Sequence, residues 1–301
     1  MNWQYKARLQ KVLSSLGRGH EINHLCQVYL TRTVPPSRKT IFNQFLFAKE
    51  HVSKIRKHGG FREQALFYEL GAGWDLANAL SFYCLGVDLQ TVTDLRRLMK
   101  PDLVQRAAHL MRSFAPDHGG TRFLPAPAAG DSRTATNELL SRCGISYLAP
   151  FDAAKTRFAN ESVDCITCTK VLQHVPTDSL PSILRECRRV LKHDGVMSAL
   201  IDYRDNFSYS DSNISVYNFL KYSDDEWARW NPPLAYQNRL RHIDYHSFFD
   251  AAGFAIIEES SSTDGPEAWE VLKKLPVAER FKGYSLDDLA AARGWYLLSP
   301  L

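Results

Sequence analysis

Glu69, Gly71, Gly73 and Asp75 stand at alternate positions of the run Phe67-Tyr68-Glu69-Leu70-Gly71-Ala72-Gly73-Trp74-Asp75. The two glycines let a backbone approach a ligand closely, and the flanking carboxylates make that approach electronegative. Phosphate is a poor partner for such a turn. In a dinucleotide fingerprint the pyrophosphate sits on the helix N-terminus beside a third glycine, and Asp75 occupies that place here. A carboxylate there repels phosphate and competes for the free backbone N–H groups, so a cationic ligand is favoured. A plain strand-turn-helix corner, with Asp75 as an ordinary N-cap, is the alternative reading of the same residues.

The elements that must hold this turn are short. Leu66, Phe67, Tyr68 and Leu70 read as a buried strand, and Leu76, Ala77, Ala79, Leu80 and Tyr83 have helical spacing. S-adenosylmethionine has no phosphate and carries an ammonium and a sulfonium, which suits Glu69 and Asp75. The next strand covers Gln90–Asp94. A ribose-binding acid belongs at its end, roughly 20 residues past the glycines, which favours Asp94 over Asp88. A helix-capping Asp94 before Leu95 is the other possibility.

Ile145–Leu148 reads as a third strand ending at Phe151-Asp152-Ala153, and Val163–Thr169 as a fourth leading to Val171-Leu172-Gln173-His174-Val175. A helix over Leu180–Leu191 stops at His193-Asp194-Gly195, and Val196–Ile201 forms the fifth strand. Phe254–Ser260 and Gly294–Ser299 read as two more. These blocks, in this order, resemble a class I S-adenosylmethionine-dependent methyltransferase with a methyltransferase type 11-like domain, over roughly residues 64–202. The resemblance implies an α/β, Rossmann-like doubly wound seven-stranded sheet with an antiparallel C-terminal hairpin. It implies S-adenosyl-L-methionine as cofactor, held by Glu69, Gly71, Gly73, Asp75, Asp94, Asp152, Ala153 and Thr169. Asp152 and Ala153 would read the adenine amino group, unless Asp152 is only a turn former.

Methyl transfer is a displacement that needs alignment and exclusion of water, and a hydroxyl nucleophile also benefits from a base. Candidates at the ends of strands four and five are His174, Asp202 and Asp205, beside Tyr203 and Arg204; His242, Asp244 and Tyr245 are further ones. The expected acceptor is a small molecule or glycan. A nicotinamide-dependent oxidoreductase, disfavoured by Asp75, and a cofactor-binding protein without turnover are the competing classes.

The 301 residues, 45% apolar, allow one large α/β core with additions. Residues 1–60 read as an N-terminal helical cap, with Leu9, Val12, Leu13 and Leu16 on one helix face and Phe42, Phe45, Leu46, Lys49, Val52 and Ile55 on another. Residues 61–202 read as the cofactor-binding core, 203–243 as an aromatic-rich insertion forming a lid, or with most of its aromatics in a small satellite core under a long loop, and 244–301 as a C-terminal helix and the last strands. Residues 112–135 are rich in proline and glycine and read as a long loop. Arg185, Arg188, Arg189 and Lys192 read as a solvated helix face.

A formal net charge of +4, with bases interleaved among acids, does not single out nucleic acid. No run of about 18 apolar residues exists and no apolar stretch follows Met1, so no membrane span is expected and a cytoplasmic location is. Cys26, Cys84, Cys143, Cys165, Cys168 and Cys187 read as free buried thiols. Cys165 and Cys168 lie three apart on a strand, pointing to opposite faces, so no metal site is read from them.

Overall fold

The computed structural model describes residues 2–16, 19–29 and 34–301. Its elements are α1 (Trp3–Ser14), α2 (Gly19–Tyr29), α3 (Arg38–Lys57), β1 (Leu66–Leu70), α4 (Ala77–Cys84), β2 (Leu89–Thr93), α5 (Pro101–Arg112), α6 (Ser132–Arg142) and β3 (Ile145–Leu148). There follow β4 (Val163–Thr169), α7 (Leu180–Val190), β5 (Leu191–Asp202), α8 (Asp224–Trp230), α9 (Asp244–Ala251), β6 (Phe254–Thr263), α10 (Ala268–Lys273), α11 (Leu286–Ala290) and β7 (Ala291–Pro300).

The strands form one sheet in the order β3-β2-β1-β4-β5-β7-β6, with β7 antiparallel to both neighbours. This is the expected Rossmann-like sheet with its antiparallel C-terminal hairpin. Strand order reverses between β1 and β4, and a ligand crevice belongs beyond the carboxyl ends of those strands. β1 is buried on both faces, Glu69 included. Phe67 faces a core built with α3, α4, α5 and α6, whereas Tyr68 faces one built with α7 and α9. Cys165 and Cys168 lie in different cores, on opposite faces of β4. Cys84, Cys143, Cys165, Cys168 and Cys187 are free and buried. The side chain of Cys26 lies outside the described residues.

Several expectations need correction. α1 buries Trp3, Ala7, Gln10 and Leu13, while Leu9, Val12 and Leu16 are exposed, because its partner is not the main sheet. It packs on Phe207, Tyr217, Phe219 and Trp227 of the insertion, and α10 and α11 complete this third core. Of the insertion's aromatics, Phe207, Tyr217, Phe219 and Trp227 are interior to that core, whereas Tyr203 packs in the core of α7 and α9 and Tyr209 is exposed. α3 buries Ile41, Phe45, Ala48, His51, Val52 and Ile55; Leu46 and Lys49 of the expected face are exposed. The Pro/Gly-rich stretch ends earlier than expected, since Asp131 caps α6 by accepting from Thr134 N at 2.8 Å. Arg188, Arg189 and Lys192 are not merely solvated. Arg188 donates to the Gly253 carbonyl at 3.2 Å, and Arg189 and Lys192 pair with Glu186 and Asp164, each at 2.7 Å.

Candidate active site

β1 ends at Leu70, and the next two amides, of Gly71 and Ala72, both donate to the Thr93 carbonyl at 2.9 Å, tying the turn to the end of β2. Gly71 and Gly73 have φ of +84° and +67°, in the left-handed region that glycine enters without steric cost. A Cβ on Gly71 would strike Val171, whereas one on Gly73 would meet nothing within 4 Å. Gly73 therefore presents bare backbone to open space. Asp75 accepts from Ala77 N at 3.0 Å and so does sit on the first free amides of α4.

These residues open onto a cavity of about 950 Å³ at the carboxyl ends of β1, β2 and β4. Gly71, Gly73, Asp75, Asp94, Asp152, Ala153 and Thr169 all line it. Asp94 follows β2 directly, lines the cavity and accepts from Gly73 N at 3.3 Å and Arg96 N at 3.1 Å; no helix follows it, since α5 begins only at Pro101, so it is not a helix cap. Asp88 is at the opposite end of the strand, paired with Arg122 at 2.7 Å. Asp152 accepts from Ala154 N at 2.9 Å, again a turn former that also lines the cavity.

Glu69 lies beneath the turn, not in the cavity wall, and is only 2% exposed. Burial pushes its carboxyl up to about 8, a hydrogen bond with Asn78 opposing, and its Oε1 has no partner. Burial likewise raises Asp75 and Asp94 above the ordinary carboxylate range. An unpartnered buried carboxyl oxygen, two raised carboxyls and a bare glycine fit a ligand with a cationic end and a ribose. They do not fit a phosphate.

His174 closes another part of the cavity wall. Its Nδ1 is 2.7 Å from the Tyr236 carbonyl oxygen, and desolvation lowers its pKa despite that bond. Beside it Lys170, with φ of 58°, sits with its ammonium 4.2 Å from the Phe47 ring centroid. Burial depresses Lys170 to about 8, and its nearest carboxylate, Asp202, is 3.7 Å away. Asp202 and Asp205 do not reach the cavity, because other groups take them. Asp202 accepts two bonds from the Arg204 guanidinium, at 2.8 and 2.7 Å, and one from Tyr209 Oη at 2.8 Å. Burial would raise it, but Arg204 and Lys170 outweigh burial and hold it below the usual range. Asp205 is buried and pushed up to about 6; it caps the turn at Phe207 N, 2.8 Å, and accepts from Asn218 at 3.1 Å. Asp244 accepts from Arg241 N and Tyr284 Oη, both at 2.7 Å, and Tyr245 is packed beside Asn238.

Gln44, Trp74, Asn78 and His51 line or adjoin the cavity and carried no sequence signal. Gln44 comes from α3, so the N-terminal segment does reach the cavity. Trp74 stacks on His24 of α2 at 4.6 Å between centroids, Asn78 holds Glu69, and Thr169 Oγ1 is 3.1 Å from Nε2 of buried His51. His51, which bonds Ser198 at its other nitrogen at 2.8 Å, is neutral because burial drives it to about 3.

Residues 130–199 match the family model described as a methyltransferase domain. The match includes Asp152-Ala153, β4 and α7 and stops short of the glycine turn, whose place in the site rests on its geometry. No curated protein matches the chain in sequence. The fold is similar to that of a putative sarcosine dimethylglycine methyltransferase from Galdieria sulphuraria, with 16% identity, 84% of each chain covered and a TM-score of 0.48. It is also similar to geranyl diphosphate C-methyltransferase from Streptomyces coelicolor A3(2), at 11% identity, covering 87% of this chain and 80% of that one, with a TM-score of 0.48. A third similar structure is the [4+2]-cyclase SpnF, at 14% identity, 84% and 81% coverage and a TM-score of 0.45. Likeness at this level decides nothing about the reaction, and the family match carries the transferase reading. Among the described residues no helix is long and apolar enough to cross a membrane.

Proposed function

We propose that this chain, a class I S-adenosylmethionine-dependent methyltransferase, moves the methyl group to a hydroxyl of a small-molecule or glycan acceptor, with His174 as the general base. The cofactor, when bound, supplies an electrophilic methyl on a sulfonium. The residues that would hold it are those around the glycine turn. Asp94 would accept from the ribose hydroxyls, Asp152 and Ala153 would meet the adenine edge, and Gly73 would let the ligand lie against the backbone. Glu69 lies below the turn with an unpartnered carboxyl oxygen that would accept from the ligand, and Asp75 flanks it.

The single observation that carries the hydroxyl reading is the His174–Tyr236 bond. A carbonyl oxygen only accepts, so His174 Nδ1 bears the proton and Nε2 keeps its lone pair. Desolvation by the surrounding wall lowers its pKa below the ordinary histidine value, which favours the neutral ring at pH 7. A neutral imidazole on the cavity wall is what proton removal from a hydroxyl requires. The volume supports a small acceptor, because about 950 Å³ holds a cofactor and leaves room for little more than one small ligand.

The test is transfer to matched acceptors that differ only in the accepting atom. Methylation of the hydroxyl compound with little transfer to its amine analogue supports the reading. Transfer to the amine alone, undisturbed by replacement of His174, overturns it.

A further inference from the structure

A second cluster of polar side chains lies outside the cavity, where α9 packs on β6. His242 stands just before α9 and His246 one turn later, so both present the same face. Glu259 comes from β6, opposite Tyr296 of β7 in the sheet register. His246 Nε2 is 2.7 Å and His242 Nε2 3.3 Å from the same oxygen, Glu259 Oε2. The three groups can offer one ligand atom each, all within 4.8 Å of one another.

The surroundings of His242 fix which of its nitrogens faces the carboxylate. Tyr296 Oη donates to the His242 carbonyl at 2.5 Å, so its proton is used and its lone pairs face His242 Nδ1, 2.7 Å away. Tyr203 Oη lies 3.0 Å from the same nitrogen. With Nδ1–H donating to Tyr296, Nε2 points at the carboxylate oxygen and is free to bind whatever sits between them, a proton or a metal ion. The ring is clamped as well. Tyr296 stacks on it at 4.5 Å between centroids, and Gly294 leaves it room, since a Cβ there would strike both His242 and Tyr203.

We propose that His242, His246 and Glu259 form a binding site for a divalent transition-metal ion of the zinc type, fastening α9 to the outer strand of the sheet. Two imidazoles and one carboxylate are the donor set that borderline ions prefer, and three protein ligands leave a fourth position open. The edge of a tetrahedron with bonds of about 2.0 Å is roughly 3.3 Å, which His242 and Glu259 already span. A hydroxyl on the non-ligating nitrogen is the outer-shell support that metal-bound histidines carry. His246 and Glu259 are partly exposed, which gives the ion a route in. The cluster is silent in the sequence because Glu259 is brought to the histidines only by the α9–β6 packing.

The chelator-treated full chain would be titrated with Zn2+ by calorimetry and with Co2+ by visible absorption. Saturable 1:1 binding with a ligand-field band is expected, and His246→Ala or Glu259→Gln should each weaken it by at least ~10-fold. Circular dichroism and S-adenosylhomocysteine affinity monitor folding, and His246→Gln serves if the alanine variant unfolds. Absence of saturable binding by the wild type overturns the proposal. So does equal affinity in the His246→Gln, Glu259→Gln double variant, which would place the ion elsewhere or leave a plain histidine–carboxylate hydrogen bond.

Discussion

His174 Nδ1 lies 2.7 Å from the carbonyl oxygen of Tyr236, a bond between the loop after β4 and the insertion after β5 that sets the tautomer of the imidazole. His174→Ala should lower turnover of a hydroxyl acceptor by about 10²-fold or more, the usual share of general-base assistance. Cofactor affinity should stay within a few-fold. Because desolvation lowers its pKa, the acid limb of kcat/KM should fall below the ordinary histidine value of about 6.5. Steady-state rates across pH check this, and an unchanged rate in the variant removes His174 from the chemistry.

Asp94 and Asp88 bracket β2 and separate its two ends cleanly. Asp94→Ala should weaken S-adenosylhomocysteine binding by about 1–3 kcal/mol, since a charged acceptor is removed from a partly buried wall. Asp88→Ala removes only the Arg122 pair and should leave affinity unaltered. Calorimetry on both variants reads the difference directly.

Gly71 and Gly73 respond differently to a side chain. Gly73→Ala should cost cofactor affinity with only the modest strain of a left-handed alanine, about 1–2 kcal/mol, because its Cβ enters open space. Gly71→Val should lower stability as well as affinity, since its side chain must displace Val171. Thermal melts alongside binding isotherms distinguish the two.

Glu69 makes stability depend on pH. Its folded pKa of about 8 exceeds the unfolded value of 4.5, so the native state holds the extra proton between them and stability falls as pH rises through that window. Glu69→Gln should flatten the decline and raise the melting temperature at pH 8 relative to wild type. A gain of at least ~1 kcal/mol, roughly 2–4 °C, is expected there and little change at pH 4. Melts at the two pH values supply the comparison.

The sequence carried the sheet well where strands are buried on both faces. Val163–Thr169, almost wholly buried, was legible with its bounds, and the edge strand Ile145–Leu148 was legible from its β-forming residues although half of it is exposed. It carried the glycine turn and its acids because their positions are local. Asp202 and Asp205 were misjudged because strand-end position does not reveal that Arg204, Tyr209 and Asn218 engage them. The face of α1 was misread, and the insertion's aromatics stayed open between lid and satellite core, for a shared reason: each buries against the other, across some two hundred residues. Lys170 and Gln44 were missed because a lone polar residue at a strand or helix position carries no periodic signal.

The most direct test of the cofactor site is titration of the wild-type chain with S-adenosylhomocysteine and, separately, with NADH. Saturable binding of S-adenosylhomocysteine that Asp94→Ala weakens, with no binding of NADH, is the predicted result. Binding of NADH in preference to S-adenosylhomocysteine would contradict the account.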